Sequence, residues 1–335
     1  MKILPSVFAL TLLPLLTSQS VQAQSDPYQL GMGLKVKDGF TLGGYFSSEF
    51  VLGDDFNEFV LDDVAIMAYG SFDNNFSYMV ELESIETVKV DFKNDNTSTN
   101  FPPTIERLYG DYKFSDNVSV RVGKQITPIG YWNLQPINVL RETTSNPKYS
   151  REMFPKFLTG VDIYGFTSFD DNLTYHLYLQ GTEDMDEDNI NIKVDSHVGF
   201  SLEKKLGSIV SIGGSVGRFT EKNDRRTNYL QLNARLDTAR YSLISEAIID
   251  DQNLPVIGSL KSESMYVQGE YRFNSNHALI ARAEYLSNGI FTNKDKIGVI
   301  GYSYRPVFPV SLKIEYQWHT DSRDNGLFSS ISVLF

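Results

Sequence analysis

Residues 310–319 read Val310-Ser311-Leu312-Lys313-Ile314-Glu315-Tyr316-Gln317-Trp318-His319. Every second position is apolar, and every position between is polar or charged. Successive side chains of a strand point to opposite faces, so one face of this strand is greasy and the other carries Lys313 and Glu315. Three more stretches follow the same rule. Leu173, Tyr175, Leu177 and Leu179 alternate with Thr174, His176, Tyr178 and Gln180; Leu230, Leu232, Ala234 and Leu236 alternate with Gln231, Asn233, Arg235 and Asp237; Met265, Val267, Gly269, Tyr271 and Phe273 alternate with Tyr266, Gln268, Glu270 and Arg272. Packed inside a soluble core, the polar set would be costly. Lining water, it costs little, so the alternation describes a barrel with a wet interior and an apolar exterior.

A short phrase recurs at Phe72-Asp73-Asn74-Asn75-Phe76, Phe114-Ser115-Asp116-Asn117-Val118, Phe169-Asp170-Asp171-Asn172-Leu173 and Phe273-Asn274-Ser275-Asn276-His277. Asn and Asp tolerate positive φ and bond to their own backbone, so each copy is a tight hairpin turn. A membrane barrel places aromatics at the lipid–water boundary beside its short turns. Period-2 segments between turn signals predict about sixteen strands: 40–51, 58–72, 75–92, 104–115, 117–127, 160–169, 172–182, 191–205, 209–221, 227–238, 240–250, 261–273, 277–288, 295–306, 310–320 and 326–335. Short connections alternate with longer, more polar ones. The fold expected is therefore all-β: a transmembrane, antiparallel, up-and-down barrel with short periplasmic turns and longer external loops.

Composition agrees. There is no run of about 18 apolar residues that would make a membrane helix. Cysteine is absent and the net charge is −12, which argues against nucleic acid as a partner. Met1-Lys2, the apolar stretch to Leu16 and Val21-Gln22-Ala23 read as an export signal over 1–23. Residues 24–335 are then one barrel domain, with no N-terminal plug.

The chain ends Ile331-Ser332-Val333-Leu334-Phe335. This resembles the C-terminal signature of Gram-negative outer-membrane barrels, which implies recognition of Phe335 by the barrel-assembly machinery and an outer-membrane location in contact with lipid and lipopolysaccharide. The long connection 128–159 follows the fifth predicted strand. Its placement is similar to that of the loop that folds into the lumen of sixteen-stranded porins; the residues alone leave open whether it enters the barrel or caps its mouth. Val122-Gly123-Lys124-Gln125-Ile126-Thr127-Pro128-Ile129-Gly130-Tyr131-Trp132-Asn133 also resembles a phrase from porins of the phosphate-selective type.

Folded inward, the segment would bring Arg141, Glu142, Lys148, Arg151, Glu152 and Lys156 opposite charged wall positions: Glu81, Glu83, Arg107, Asp111, Arg121, Arg235, Glu270, Arg272, Arg282, Glu284, Lys313 and Glu315. Opposed charges make a transverse field that favours small polar solutes; the competing reading has them pair along the wall as braces. The charges are mixed, so phosphate selectivity is not carried over, and mild cation preference or little selectivity is expected. The expected function is a pore for passive diffusion of small hydrophilic solutes, with a substrate-selective channel and a non-conducting structural barrel as alternatives. The resembled families include trimers and monomers.

No catalytic phrase surrounds His176, His197, His277 or His319, so no enzyme and no cofactor are expected. Asp184, Asp186 and Asp188 have the 1-3-5 spacing of a calcium loop, but Asn189 stands where that loop needs Gly. A solvated external loop is the favoured reading.

Overall fold

The computed structural model describes residues 28–115, 117–185, 191–255, 258–289, 293–320 and 324–335. The expected export signal, and Asp186 and Asp188 of the acidic loop, lie outside the described residues.

Sixteen of the strands close into one antiparallel barrel. They are β1 (Phe40–Gly53), β2 (Asn57–Ser71), β3 (Phe76–Ser84), β4 (Thr104–Lys113), β5 (Ser119–Ile126), β6 (Phe157–Thr167), β7 (Asp170–Gln180), β8 (Val194–Leu206), β9 (Val210–Glu221), β10 (Arg226–Asp237), β11 (Tyr241–Leu254), β12 (Gly258–Arg272), β13 (His277–Asn288), β14 (Asn293–Val307), β15 (Val310–Trp318) and β16 (Gly326–Leu334). Each pairs with its sequence neighbour, and β16 returns to β1 with Leu334 opposite Tyr45 and Gly326 opposite Gly53. Closure satisfies the backbone polar groups of every spanning strand, which hydrocarbon could not. At the seam, Gly44 and Phe335 exchange backbone hydrogen bonds of 2.9 and 2.8 Å. The absent side chain at Gly44 is the space the Phe335 ring fills.

The side-chain distribution is that of a soluble protein turned inside out. On β15, Ile314 and Trp318 are 45% and 46% exposed, whereas Lys313 and Glu315 are 4% and 2% exposed. Leu177, Leu232, Ile249, Met265 and Ile300 face outward in the same way, as the outer face of a membrane barrel requires. Phe72, Phe114, Phe169 and Phe273 all stand exposed at the short-turn end. Three of them join aromatic neighbours: Phe72 lies 5.1 Å from Tyr78, Phe114 4.7 Å from Tyr112, and Phe273 5.0 Å from Tyr271. The turns close through their own side chains. Asp73 accepts 2.7 Å bonds from the Asn75 and Phe76 backbone N–H groups, which hold its carboxyl below the ordinary carboxylate range. Asn274 does the same for Asn276 and His277 at 2.9 and 3.1 Å.

Two expectations change. The predicted strand 75–92 is broken: β3 stops at Ser84, and Glu86 takes a left-handed conformation (φ 49°). Val88–Asp91 then pairs with Asn96–Thr99 as a short hairpin, which rests against Glu58–Leu61 of β2. The long connection also ends earlier than 159, because Phe157, Leu158 and Thr159 already pair with Ile126, Gln125 and Lys124. Ahead of β1, Gly33–Lys37 pairs with Thr41 and Leu42 beside the end of β16.

Candidate functional site: the lumen and its inward-folded segment

Residues 127–156 run inside the barrel. Ile129, Trp132, Tyr149, Met153 and Phe154 are buried in one apolar cluster with Leu158, Tyr178, Val194, Phe219, Tyr229, Ile248, Tyr266 and Leu286 of the wall. Trp132 and Tyr149 meet Tyr266 edge-on at 6.1 and 5.7 Å. A second, smaller cluster seats Ile137 and Val139 on Tyr45, Ala65 and Met67. Arg141 lies within 5.4 Å of the Trp132 ring.

Polar brackets complete the docking. A segment without a sheet ladder carries backbone groups that must find partners, and the wall supplies them. Glu246 accepts from the Trp132 N–H at 3.0 Å and from the Tyr131 N–H. Glu315 accepts from Thr144 and Ser145 N–H at 2.9 and 3.0 Å, and Glu284 from Lys148 N–H at 2.9 Å. Lys313 donates to the Asn138 and Thr143 carbonyls at 2.6 and 3.2 Å. Arg282 donates to Thr143 Oγ1 and Ser145 Oγ at 2.9 and 2.7 Å. Arg305 bonds the Arg141 carbonyl at 2.9 Å and Glu142 at 2.8 Å. Four residues expected to line a pore, Arg282, Glu284, Lys313 and Glu315, thus spend their polar atoms on the segment.

Other expected wall charges pair with one another. Arg107 bonds Glu81, Arg121 bonds Asp111 at 2.7 Å, and Arg272 bonds Glu270 at 2.8 Å and Asp237 at 3.0 Å. Arg235 bonds Asp237 at 2.9 Å. Glu83 accepts from Tyr45 Oη at 2.8 Å.

A cavity of about 890 Å³ lies between the segment and the wall, mostly along β1–β4, with Glu284, Ile297, Gln317 and Phe328 of β13–β16 closing its far side. Carboxylates border it from the wall: Glu49, Asp62, Asp63, Glu83 and Glu106, with Glu86 beyond the end of β3. Arg141, Lys148, Arg151, Glu152 and Lys156 border it from the segment. Lys156 reaches across to Glu106 at 3.0 Å, and Lys148 to Asp295 at 3.3 Å. Arg151 and Glu152 stand exposed; partial burial nonetheless pushes the Glu152 carboxyl up from its ordinary value.

Glu49, Asp62, Asp63 and Glu106 were not among the expected charges. The Asp62–Asp63 doublet has a local cause. The register between β1 and β2 slips between Phe46 and Ser48, a bulge that lets both neighbours face the lumen. Two acids in succession inside Leu61-Asp62-Asp63-Val64 break the period of 2, and that break is the signal from which the bulge could be read. Glu246 and Arg305 were missed as well. Glu246 is the one charge in Leu243-Ile244-Ser245-Glu246-Ala247-Ile248-Ile249, an oddity that a buried bracket explains.

Asp184 is engaged structurally. It accepts from Thr159 Oγ1 and from Asn191 Nδ2 at 3.2 Å, and lies 3.6 Å from Lys124. Each histidine has a wall partner: Asp162 for His176 at 2.8 Å, Tyr229 for His197 at 2.9 Å, Asp295 for His319 at 3.2 Å, and Tyr302 for His277.

No family model and no curated protein matches the chain. Solved structures do. The trimer form of OmpT, an outer membrane protein of Vibrio cholerae, superposes with a TM-score of 0.64 at 10% identity, covering 89% of this chain and 100% of that one. OmpF of Salmonella typhi, solved with daunomycin, gives 0.61 at 12% identity over 88% and 97%. An anion-selective porin from Comamonas acidovorans gives 0.59 at 12% identity over 89% and 100%. The likeness is one of fold, the sixteen-stranded barrel of outer-membrane porins, which the sequence rhythm predicted.

Proposed function

We propose that the chain is an outer-membrane porin: a water-filled channel through which small hydrophilic solutes and ions diffuse passively, with a mild preference for cations. One observation carries the reading. A cavity between the docked segment and the wall is bordered by carboxylates, most of them on β1–β4, on one side and by Arg141, Arg151 and Lys156 on the other. Opposed charges of this kind order water and disfavour apolar solutes. The carboxylates that border the cavity outnumber the basic groups that border it, which sets the sign of the preference.

The same reading makes residues 1–23 a cleaved export signal, Phe335 the mark for barrel assembly, and lipid and lipopolysaccharide the surroundings. A homotrimer is proposed from the trimer form of the similar OmpT structure. Planar-bilayer recording across a KCl gradient tests the function. The expected result is a steady ion current whose reversal potential favours K⁺ weakly. A protein that inserts and passes no current would instead be a structural barrel closed by its own segment.

A further inference from the structure

Where the inward segment meets the long-loop end of the wall, a row of polar side chains ends on a histidine. The row follows the inward face of β15 through Glu315, Gln317 and His319. Glu315 holds the Thr144 and Ser145 N–H groups and accepts from Gln317 Nε2 at 2.9 Å. That bond orients the amide, so Gln317 turns its Oε1 toward His319 Nε2 at 3.3 Å. The other ring nitrogen, Nδ1, lies 3.2 Å from Asp295 Oδ2 on β14. An amide oxygen and an ionised carboxylate can only accept. A neutral imidazole has one N–H to donate and an imidazolium has two, so the charged ring is the form that matches both partners.

Asp295 is shared. Lys148 Nζ of the segment reaches the same Oδ2 at 3.3 Å. With His319 charged, one carboxylate stands between two cations and a positive charge is left over. With His319 neutral, Lys148 and Asp295 cancel. His319 borders the cavity that carries the proposed selectivity, and His176, His197 and His277 do not. Among the described residues, the charged groups on the elements packed around the ring are Asp295 from β14, Lys148 and Glu152 from the segment, Glu284 from β13, Glu315 along β15 and Asp324 beyond the last loop. Histidine is the side chain whose charge ordinarily changes between pH 5 and 8, so at this place a change of proton is a change in the net charge of the cavity border.

We propose that His319 is a proton-titrated selectivity residue of the lumen. Charged, it adds a cation to the basic border made by Arg141, Lys148, Arg151 and Lys156 and lowers the preference for cations. Neutral, it leaves that border to them, and the preference rises. The assignment rests on the channel reading, but the charge of the ring can be followed without ion flow.

The test uses the full-length protein carrying Glu152→Gln, which takes that carboxyl out of the titration. Reversal potentials across a KCl gradient are read from pH 5 to pH 8, the range over which histidine changes charge. The cation-to-anion permeability ratio should rise with pH by about twofold, the effect of one charge across about 8 Å of water. Adding His319→Gln should hold the ratio near its alkaline value, and adding His319→Lys should hold it near its acid value, each with a flattened profile. Proton–nitrogen spectra of the histidine-labelled protein in detergent follow the ring charge, and the signal lost in His319→Gln identifies it. Heat-modified gel mobility establishes that each variant is folded. No current in any variant would remove the channel reading, and the selectivity role with it. A steady current whose pH profile is the same with His, Gln and Lys at this position, or a ring that keeps one charge state over the whole range, would overturn the assignment of His319 alone.

Discussion

Two halves of the inner wall obey the same strand alternation and end in opposite states. On the β7–β13 side, inward positions such as Tyr178, Phe219, Tyr229 and Tyr266 are covered by Trp132, Tyr149 and Phe154 in an apolar cluster. On the β1–β4 side, inward positions such as Glu49, Asp62, Asp63 and Glu106 face an open polar cavity. The barrel alone does not make this difference. The inward segment does, by having one greasy edge and one basic edge. A wall of large aromatics without that segment would be a poor lining for water, and a wall of acids beneath it would be an expensive floor for Trp132.

The strongest way to break the contrast is to remove the greasy edge. Trp132→Ala with Phe154→Ala should cost about 3–5 kcal/mol per site in unfolding free energy and free the segment from the wall. Thermal unfolding should shift down, and single-channel conductance should rise several-fold. Unchanged conductance would mean that the segment does not limit flow.

Next in size is the charge of the open side. A carboxylate is worth about 1 kcal/mol to a cation 4 Å away in water. Asp62→Asn with Asp63→Asn should therefore lower the cation-to-anion permeability ratio by roughly fivefold or more, read from the reversal potential. The same pair of substitutions on the paired wall residues Asp111 and Asp237 should change it little.

A smaller change of opposite sign is expected from Arg141→Gln with Arg151→Gln, which should raise the cation preference. Arg151 should carry most of it, because Arg141 is buried against Asn146 and the Gln135 carbonyl. An unmoved reversal potential would take both guanidiniums out of the permeation path.

The smallest effect is in pH. The Glu152 carboxyl is raised by burial, so on acidification it takes up its proton before an ordinary glutamate would, and negative charge leaves the basic edge early. Cation preference should begin to fall above the normal carboxylate range, and Glu152→Gln should shrink that early limb. An identical titration in the variant would assign the change to other acids.

Much of this was legible in the chain. Lipid demands an apolar side chain at every second position of every strand, so alternation such as that of residues 310–319 marked the strands and their wet face together. Turn residues such as Asp73 and Asn274 supplied their own hydrogen bonds and marked the ends. Less was legible where the deciding contact lies far away in sequence. Glu315 and Lys313 read as pore charges because a charged inward position looks the same whether it meets water or the backbone of Thr144 and Asn138. Glu246 meets Tyr131 and Trp132 from 115 and 114 positions away, and no local pattern announces that. Strand 75–92 carried its break in the sequence, because the apolar positions Leu82, Ile85 and Val88 fall three apart rather than two, around the left-handed Glu86.

Swelling of proteoliposomes in solutions of small neutral sugars of increasing size tests the hydrated bore most directly. The account predicts fast swelling with the smallest sugars, slowing steadily with size, and faster uptake of the larger ones once Trp132 and Phe154 are truncated. Liposomes that carry correctly folded protein and stay osmotically tight to every sugar would contradict it.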